Sequence, residues 1–125
     1  MKKNILIVVL FVFFVMVVSV LMLLEEPKIG KFNLNNYQYY IENFSSNENI
    51  GNTSDLREVL LNVEKLWIEM YGESVKNERP YKVFYDSIND VWLVQGSLKS
   101  NSMGGVANVL IEKSTGRVLA IWHDK

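Results

Sequence analysis

The sequence predicts an α+β chain: an N-terminal transmembrane helix, then a long helix packed on a curved antiparallel sheet of about four strands. Three observations carry this. Residues 5–24 run without a charge, with Ser19 the sole polar side chain. Residues 55–71 repeat apolar side chains at the 3.6-residue helical period, whereas from Pro80 onward the period falls to two, with turn residues between the runs.

As a helix, Ile5–Leu24 would be about 30 Å long, the thickness of a bilayer core. Lys2 and Lys3 precede it and Glu25 and Glu26 follow it. The positive-inside bias then predicts a single-pass cell-membrane protein, its N-terminus cytoplasmic and its C-terminal domain extracytoplasmic. A secretory signal has a shorter apolar region, about 7–15 residues, ending in small residues. The run here ends Val20-Leu21-Met22-Leu23-Leu24-Glu25, without such a triplet. Residues 1–24 therefore read as an uncleaved signal anchor.

Residues 25–54 read as a juxtamembrane linker with a short helix. Pro27, Gly30 and three Asn mark the linker. Tyr37, Tyr40, Ile41 and Phe44 share a helical face, although the β propensity of Tyr, Ile and Phe argues for a strand there. Residues 45–54 form a polar loop. The domain proper is then 55–125. Its helix, Asp55–Tyr71, puts Leu56, Val59, Leu60, Val63, Leu66, Trp67, Met70 and Tyr71 on one stripe. Arg57, Glu58, Asn62, Glu64, Lys65 and Glu69 make the opposite, solvated face. Ser54 or Asp55 can cap the start, and Gly72 suits a left-handed stop.

The strands are expected at 81–86, 91–98, 105–113 and 118–122. Ser87–Asp90 forms a turn, 99–104 a loop, and Ser114–Arg117 a tight hairpin with Gly116 at the left-handed position. In the second strand Trp92 and Val94 share one face, and Val91, Leu93 and Gln95 the other. In the third, Ala107, Val109 and Ile111 oppose Asn108 and Leu110. Packing the helix stripe on an apolar sheet face buries both, which predicts a helix cradled by a curved sheet.

The composition excludes several kinds of chemistry. Without residues 1–24 the chain has 11 basic and 14 acidic side chains, net −3, which is not a nucleic-acid footprint. With no Cys there are no disulfides, thiolate metal sites or Cys nucleophiles. A nucleophile–base–acid set would need His123, the sole histidine, placed after the last strand, where it reads as a surface residue. Asp124 beside it gives too few ligands for a metal. Neither catalytic residues nor a cofactor is expected. Glu78-Arg79-Pro80-Tyr81 places Arg beside Glu at a strand entrance, a pair that fixes the loop or faces a partner. Trp92 and Trp122 read as core, or as hot spots if near a sheet edge.

Residues 71–123 carry an ordered series. It runs Tyr71-Gly72-Glu73, Glu78-Arg79-Pro80-Tyr81, Val91-Trp92-Leu93-Val94-Gln95-Gly96-Ser97-Leu98, Gly104-Gly105-Val106, Ile111-Glu112-Lys113, Gly116-Arg117-Val118-Leu119 and His123. From about residue 55 to 123 the chain resembles the NTF2-fold immunity proteins of bacterial polymorphic toxin systems. The resemblance implies an NTF2/cystatin-like cone of helix and curved sheet. It implies a non-catalytic protein that binds and neutralises a cognate toxin domain through the concave sheet face or its rim. Glu78, Arg79, Tyr81, Trp92, Gln95, Arg117, Trp122 and His123 are the candidate contacts, and a net −3 suits a basic toxin. Two other readings stand beside it. One is an envelope accessory or binding module. The other is an NTF2-like small-ligand protein, with Tyr81, Tyr85 and Asp86 lining a pocket.

Overall fold

The computed structural model describes residues 2–23, 28–51, 54–99 and 104–124. Its elements are α1 (Lys2–Leu23), β1 (Ile29–Lys31), α2 (Gln38–Asn43), α3 (Leu56–Tyr71), β2 (Lys82–Asp86), β3 (Val91–Gln95), β4 (Ala107–Glu112) and β5 (Val118–His123). Short 3₁₀ turns at Leu34–Tyr37 and Glu73–Glu78 precede α2 and β2. The chain is α+β, as expected, but the sheet has five strands in the order β1-β2-β3-β4-β5. The four predicted strands form the antiparallel meander, and β1 adds to it in parallel beside β2.

The expected transmembrane anchor is corrected. Among the described residues no helix is long and apolar enough to cross a membrane. The membrane contact expected through residues 5–24 finds no support among the described residues. Leu24, Glu25 and Glu26, which were to end and flank the span, lie outside the described residues, as do residues 100–103 of the predicted loop.

Helix α3 starts and stops where its sequence dictates. Asp55 is the cap, its side chain accepting from the Arg57 amide at 3.0 Å, and Gly72 ends the helix with φ 87°. Leu56, Val59, Val63, Leu66 and Trp67 are buried against Val83, Trp92, Val94, Ala107, Val109, Ile111 and Ile121 of the sheet. Met70, read as part of the stripe, is instead exposed.

The opposite sheet face is apolar too. Val91, Leu93, Leu110, Ala120 and Trp122 lie there, and residues 32–44 cover them with Phe32, Leu34, Tyr37, Tyr40 and Ile41. Tyr40 stacks on Trp122 with ring centroids 4.2 Å apart and planes 17° apart. The sheet is thus the middle of three layers, and the segment expected as a linker supplies both an edge strand and the second covering layer. The near-continuous burial along these strands accounts for this, because successive residues of Val91–Val94 in β3 and Ala107–Ile111 in β4 are buried on both faces. Neither face of the sheet is open as a concave binding surface.

Two fastenings hold the outer segments. Residues 44–50 run along the free edge of β5: Ile121 and Val118 donate to the carbonyls of Phe44 and Glu48 at 3.0 and 2.9 Å, and Ile50 donates to Gly116 at 2.9 Å. A side chain at Gly116 (φ 77°) would collide with the Gly51 backbone, so this glycine serves the close approach as well as the hairpin. At the other side, Asp86 is buried at the end of β2. Its carboxylate accepts from Asn89 Nδ2 at 3.0 Å, from the Leu34 amide at 2.8 Å, and from the amides of Asn89 and Ile88 at 3.0 and 2.9 Å. One carboxylate joins the β2–β3 turn to the covering layer.

Those hydrogen bonds, that of the Asn89 side chain foremost, lower the Asp86 pKa to about 2. An unfolded Asp titrates near about 3.9. The stabilisation is therefore complete above that value and is lost as the pH falls towards 2. Replacing Asp86 by Asn should flatten that part of the acid-unfolding curve and speed hydrogen exchange at the Leu34 amide. Unchanged exchange there would show that Asp86 does not hold the layer. Trp122→Ala should cost about 3–5 kcal/mol in urea unfolding, the loss of a large core aromatic.

Candidate functional site

Pro80 turns the chain from the 3₁₀ turn at Glu73–Glu78 into β2, and this corner lies against the outward face of α3. Glu64 of α3 is the hub. Arg79 holds it with two guanidinium nitrogens, Nε donating to Oε2 at 2.8 Å and Nη2 to Oε1. The Tyr81 hydroxyl donates to Oε2 at 2.7 Å. The Glu64 side chain is only 12% exposed, while that of Arg79 is 54% exposed. The pair is therefore partly sheltered and bidentate, the geometry that makes an ion pair more than a surface contact. The Arg79 hydrogen bond keeps the Glu64 carboxyl below its ordinary range despite burial. Burial, then the hydrogen bond to Glu64, raises the Tyr81 phenol well above its own. Beneath, the Tyr81 ring meets Trp67 edge-on at 5.1 Å.

Around this hub lies an open groove of about 820 Å³, lined by Arg57, Leu60, Leu61, Glu64, Arg79, Pro80 and Tyr81. Leu61 is 62% exposed. Arg57 stands at the helix start, 3.6 Å from Asp55, with its side chain 42% exposed.

A second cluster gathers on the other side of the same corner. Glu78 Oε1 accepts from the Ala107 amide at 2.7 Å, tying the corner to the start of β4. Gly96 is needed here because a Cβ would strike the Glu78 carboxylate. His123 Nε2 lies 3.4 Å from Glu78 Oε2, its Nδ1 is 2.7 Å from the Asp124 carbonyl, and its ring meets Tyr71 edge-on at 5.3 Å. His123 was expected beyond the last strand. It is the last residue of β5, in register with Ala107, and it is held on two sides.

The predicted contact residues divide accordingly. Arg79 and Tyr81 meet at Glu64, and Glu78 and His123 meet each other. Gln95 donates from Nε2 to Asn108 Oδ1 at 2.8 Å, completing the partners of a fully buried amide. Arg117 stands away from the corner, 3.7 Å from Glu112. Trp92 and Trp122 are both core. Trp92 meets Tyr85 at 4.7 Å with the rings tilted 46° and lies beneath Lys113, and Trp122 donates from Nε1 to Asp124 at 3.1 Å. The three residues of the small-ligand reading do not converge. Tyr81 lines the groove, whereas Tyr85 and Asp86 line a separate cleft of about 360 Å³ beside β1. Among the described residues no group of three or more His, Asp or Glu side chains is arranged to hold a metal ion.

Sequence reasoning missed Glu64, Arg57 and Leu61, assigning the first two to a solvated helix face. One signal was available. Leu61, like Ile68, is an apolar residue of the helix that falls off the stripe, and it lies four residues from Arg57 and three from Glu64, spacings that bring side chains together on a helix.

Comparison with known proteins adds one finding. A family model described as NTF2 fold immunity protein matches residues 62–125, just over half of the chain. No curated protein and no solved structure matches.

The lowered Glu64 pKa has a pH consequence of fixed sign. Its stabilisation is complete above the unfolded value of about 4.3, and it disappears as the carboxyl protonates in the folded state. Glu64→Gln should remove that dependence. It should also lower the pKa of the Tyr81 phenol, read as tyrosinate absorbance in an alkaline titration. An unmoved Tyr81 titration would contradict the coupling.

Proposed function

The chain belongs to the NTF2-fold immunity proteins, and we propose that it protects a bacterial cell by binding a cognate toxin domain and covering it, without turning over a substrate. The observation that carries this is the extent of the family match. Residues 62–125 include most of α3, the Glu64–Arg79–Tyr81 hub, the Glu78–His123 cluster and strands β2–β5.

The geometry suits that role. An inhibitor that works by occupancy needs a surface already in its bound shape, since ordering side chains on binding lowers affinity. At this corner the charged and aromatic side chains are held by one another: Arg79 and Tyr81 by Glu64, and Glu78 by the Ala107 amide. Both sheet faces are covered, so the toxin would meet α3, the corner at Pro80 and the sheet rim rather than a concave sheet. A stable complex of this kind buries about 800 Å² on each partner, some 20–30 residues.

Co-expression with the toxin encoded by the adjacent gene tests the reading. The full chain should restore growth and co-purify with the toxin in a one-to-one complex. A chain that neither rescues nor co-purifies would refute it.

A further inference from the structure

We propose that the groove between the N-terminal half of α3 and the Arg79–Tyr81 corner is the toxin-docking surface, and that it takes a segment presenting an apolar side chain with a carboxylate beside it. This rests on the immunity reading and adds to it the place of contact and the chemistry received.

The groove has what an interface centre needs. Leu60, Leu61, Pro80 and the Tyr81 ring give it apolar walls, and Arg57 and Arg79 stand at its margin. Tyr and Arg are over-represented among the side chains that dominate binding energy. A single exposed leucine is ordinary on a protein surface. Leu61 differs in lining an 820 Å³ hollow between two guanidinium groups.

The charge pattern selects the occupant. Residues 25–125 carry net −3, yet the exposed charged side chains that line this groove are Arg79 and Arg57, the latter 3.6 Å from Asp55 outside the lining. The one carboxylate lining it, Glu64, is 12% exposed and already bonded to Arg79 and Tyr81. Of the five N–H donors of a guanidinium, Arg79 directs two at Glu64, leaving its outer side for an incoming carboxylate. Glu64 also fixes the plane of that guanidinium, so the fork is oriented before the partner arrives. A lysine-bearing segment would meet two cations in the lining, and Asp55 beside Arg57 is already engaged with it at 3.6 Å. A more exposed apolar tip, Ile88 at the β2–β3 turn, is 93% exposed. Its cleft is less than half the volume of the groove, and the carboxylate in it, Asp86, is saturated by hydrogen bonds.

The test titrates the purified toxin domain encoded by the adjacent gene with the full chain and with three variants, each checked for fold by circular dichroism. Leu61→Asp should weaken binding by about thirtyfold or more, the size of a hot-spot loss. Arg57→Glu should weaken it and reduce its dependence on salt, because a favourable charge contact is replaced by a repulsive one. Ile88→Asp, in the turn at the far end of β2 from Pro80 and Tyr81, should bind as the parent does. If the parent binds while Leu61→Asp and Arg57→Glu retain full affinity, the groove is not the docking surface and the immunity reading stands. Loss of binding in Ile88→Asp alone would likewise overturn the groove and move the interface to the β2–β3 turn. If the parent chain itself does not bind, the immunity reading fails and the groove proposal falls with it.

Discussion

The structure depends on one constraint: the central strands are apolar on both faces. Val91–Val94 and Ala107–Ile111 present buried side chains to each side in alternation, so a sheet made from them cannot leave a face in water. Helix α3 covers one side. The chain has to bring a second layer to the other, and residues 32–44 serve, with Tyr40 against Trp122 as the broadest contact. The parallel β1 strand follows from that, because a segment that crosses the lower face passes the free edge of β2 and pairs with it. Asp86 then joins the crossing segment to the β2–β3 turn through four hydrogen bonds.

With both faces taken, recognition is left to the helix, the corner and the rims. The polar side chains at the corner are organised around two carboxylates. Glu64 draws Arg79 and Tyr81 onto α3, and Glu78 draws the start of β4 and His123 onto the other side. Each neutralises a local charge or donor and stiffens the turn between α3 and β2. What remains outward is Leu61 with the outer edges of Arg57 and Arg79. Covering a toxin requires a surface of this kind, one that is rigid, partly apolar and charged with a definite sign.

Much of the fold was legible because its signals are local. The cap at Asp55, the stop at Gly72, the turn at Gly116 and the alternation of the four antiparallel strands are set by side chains within a few residues of one another. The family was legible from the ordered series that runs from Tyr71 to His123, within the residues 62–125 that the family model matches. The N-terminal run read as a membrane span, yet no helix among the described residues is long and apolar enough to cross a membrane. The site was less legible. Glu64 looked like one more solvated carboxylate, since its partners come from residues 15 and 17 positions later. His123 looked terminal because its neighbours, Tyr71 and Glu78, are some fifty residues away in sequence.

The amino-acid sequence alone determined one long amphipathic helix and four alternating strands, because periodicity and turn chemistry act over a few residues and need no tertiary context; the family was legible separately, from the resemblance of an ordered series of residues. The tertiary structure alone decided that residues 29–44 supply a fifth strand and a third layer, that both Trp92 and Trp122 are core, and that Arg79 and Tyr81 converge on Glu64. Those outcomes depend on which apolar face lies uncovered and which buried carboxylate needs a partner. Desolvation sets both, and it acts only once distant parts of the chain have met.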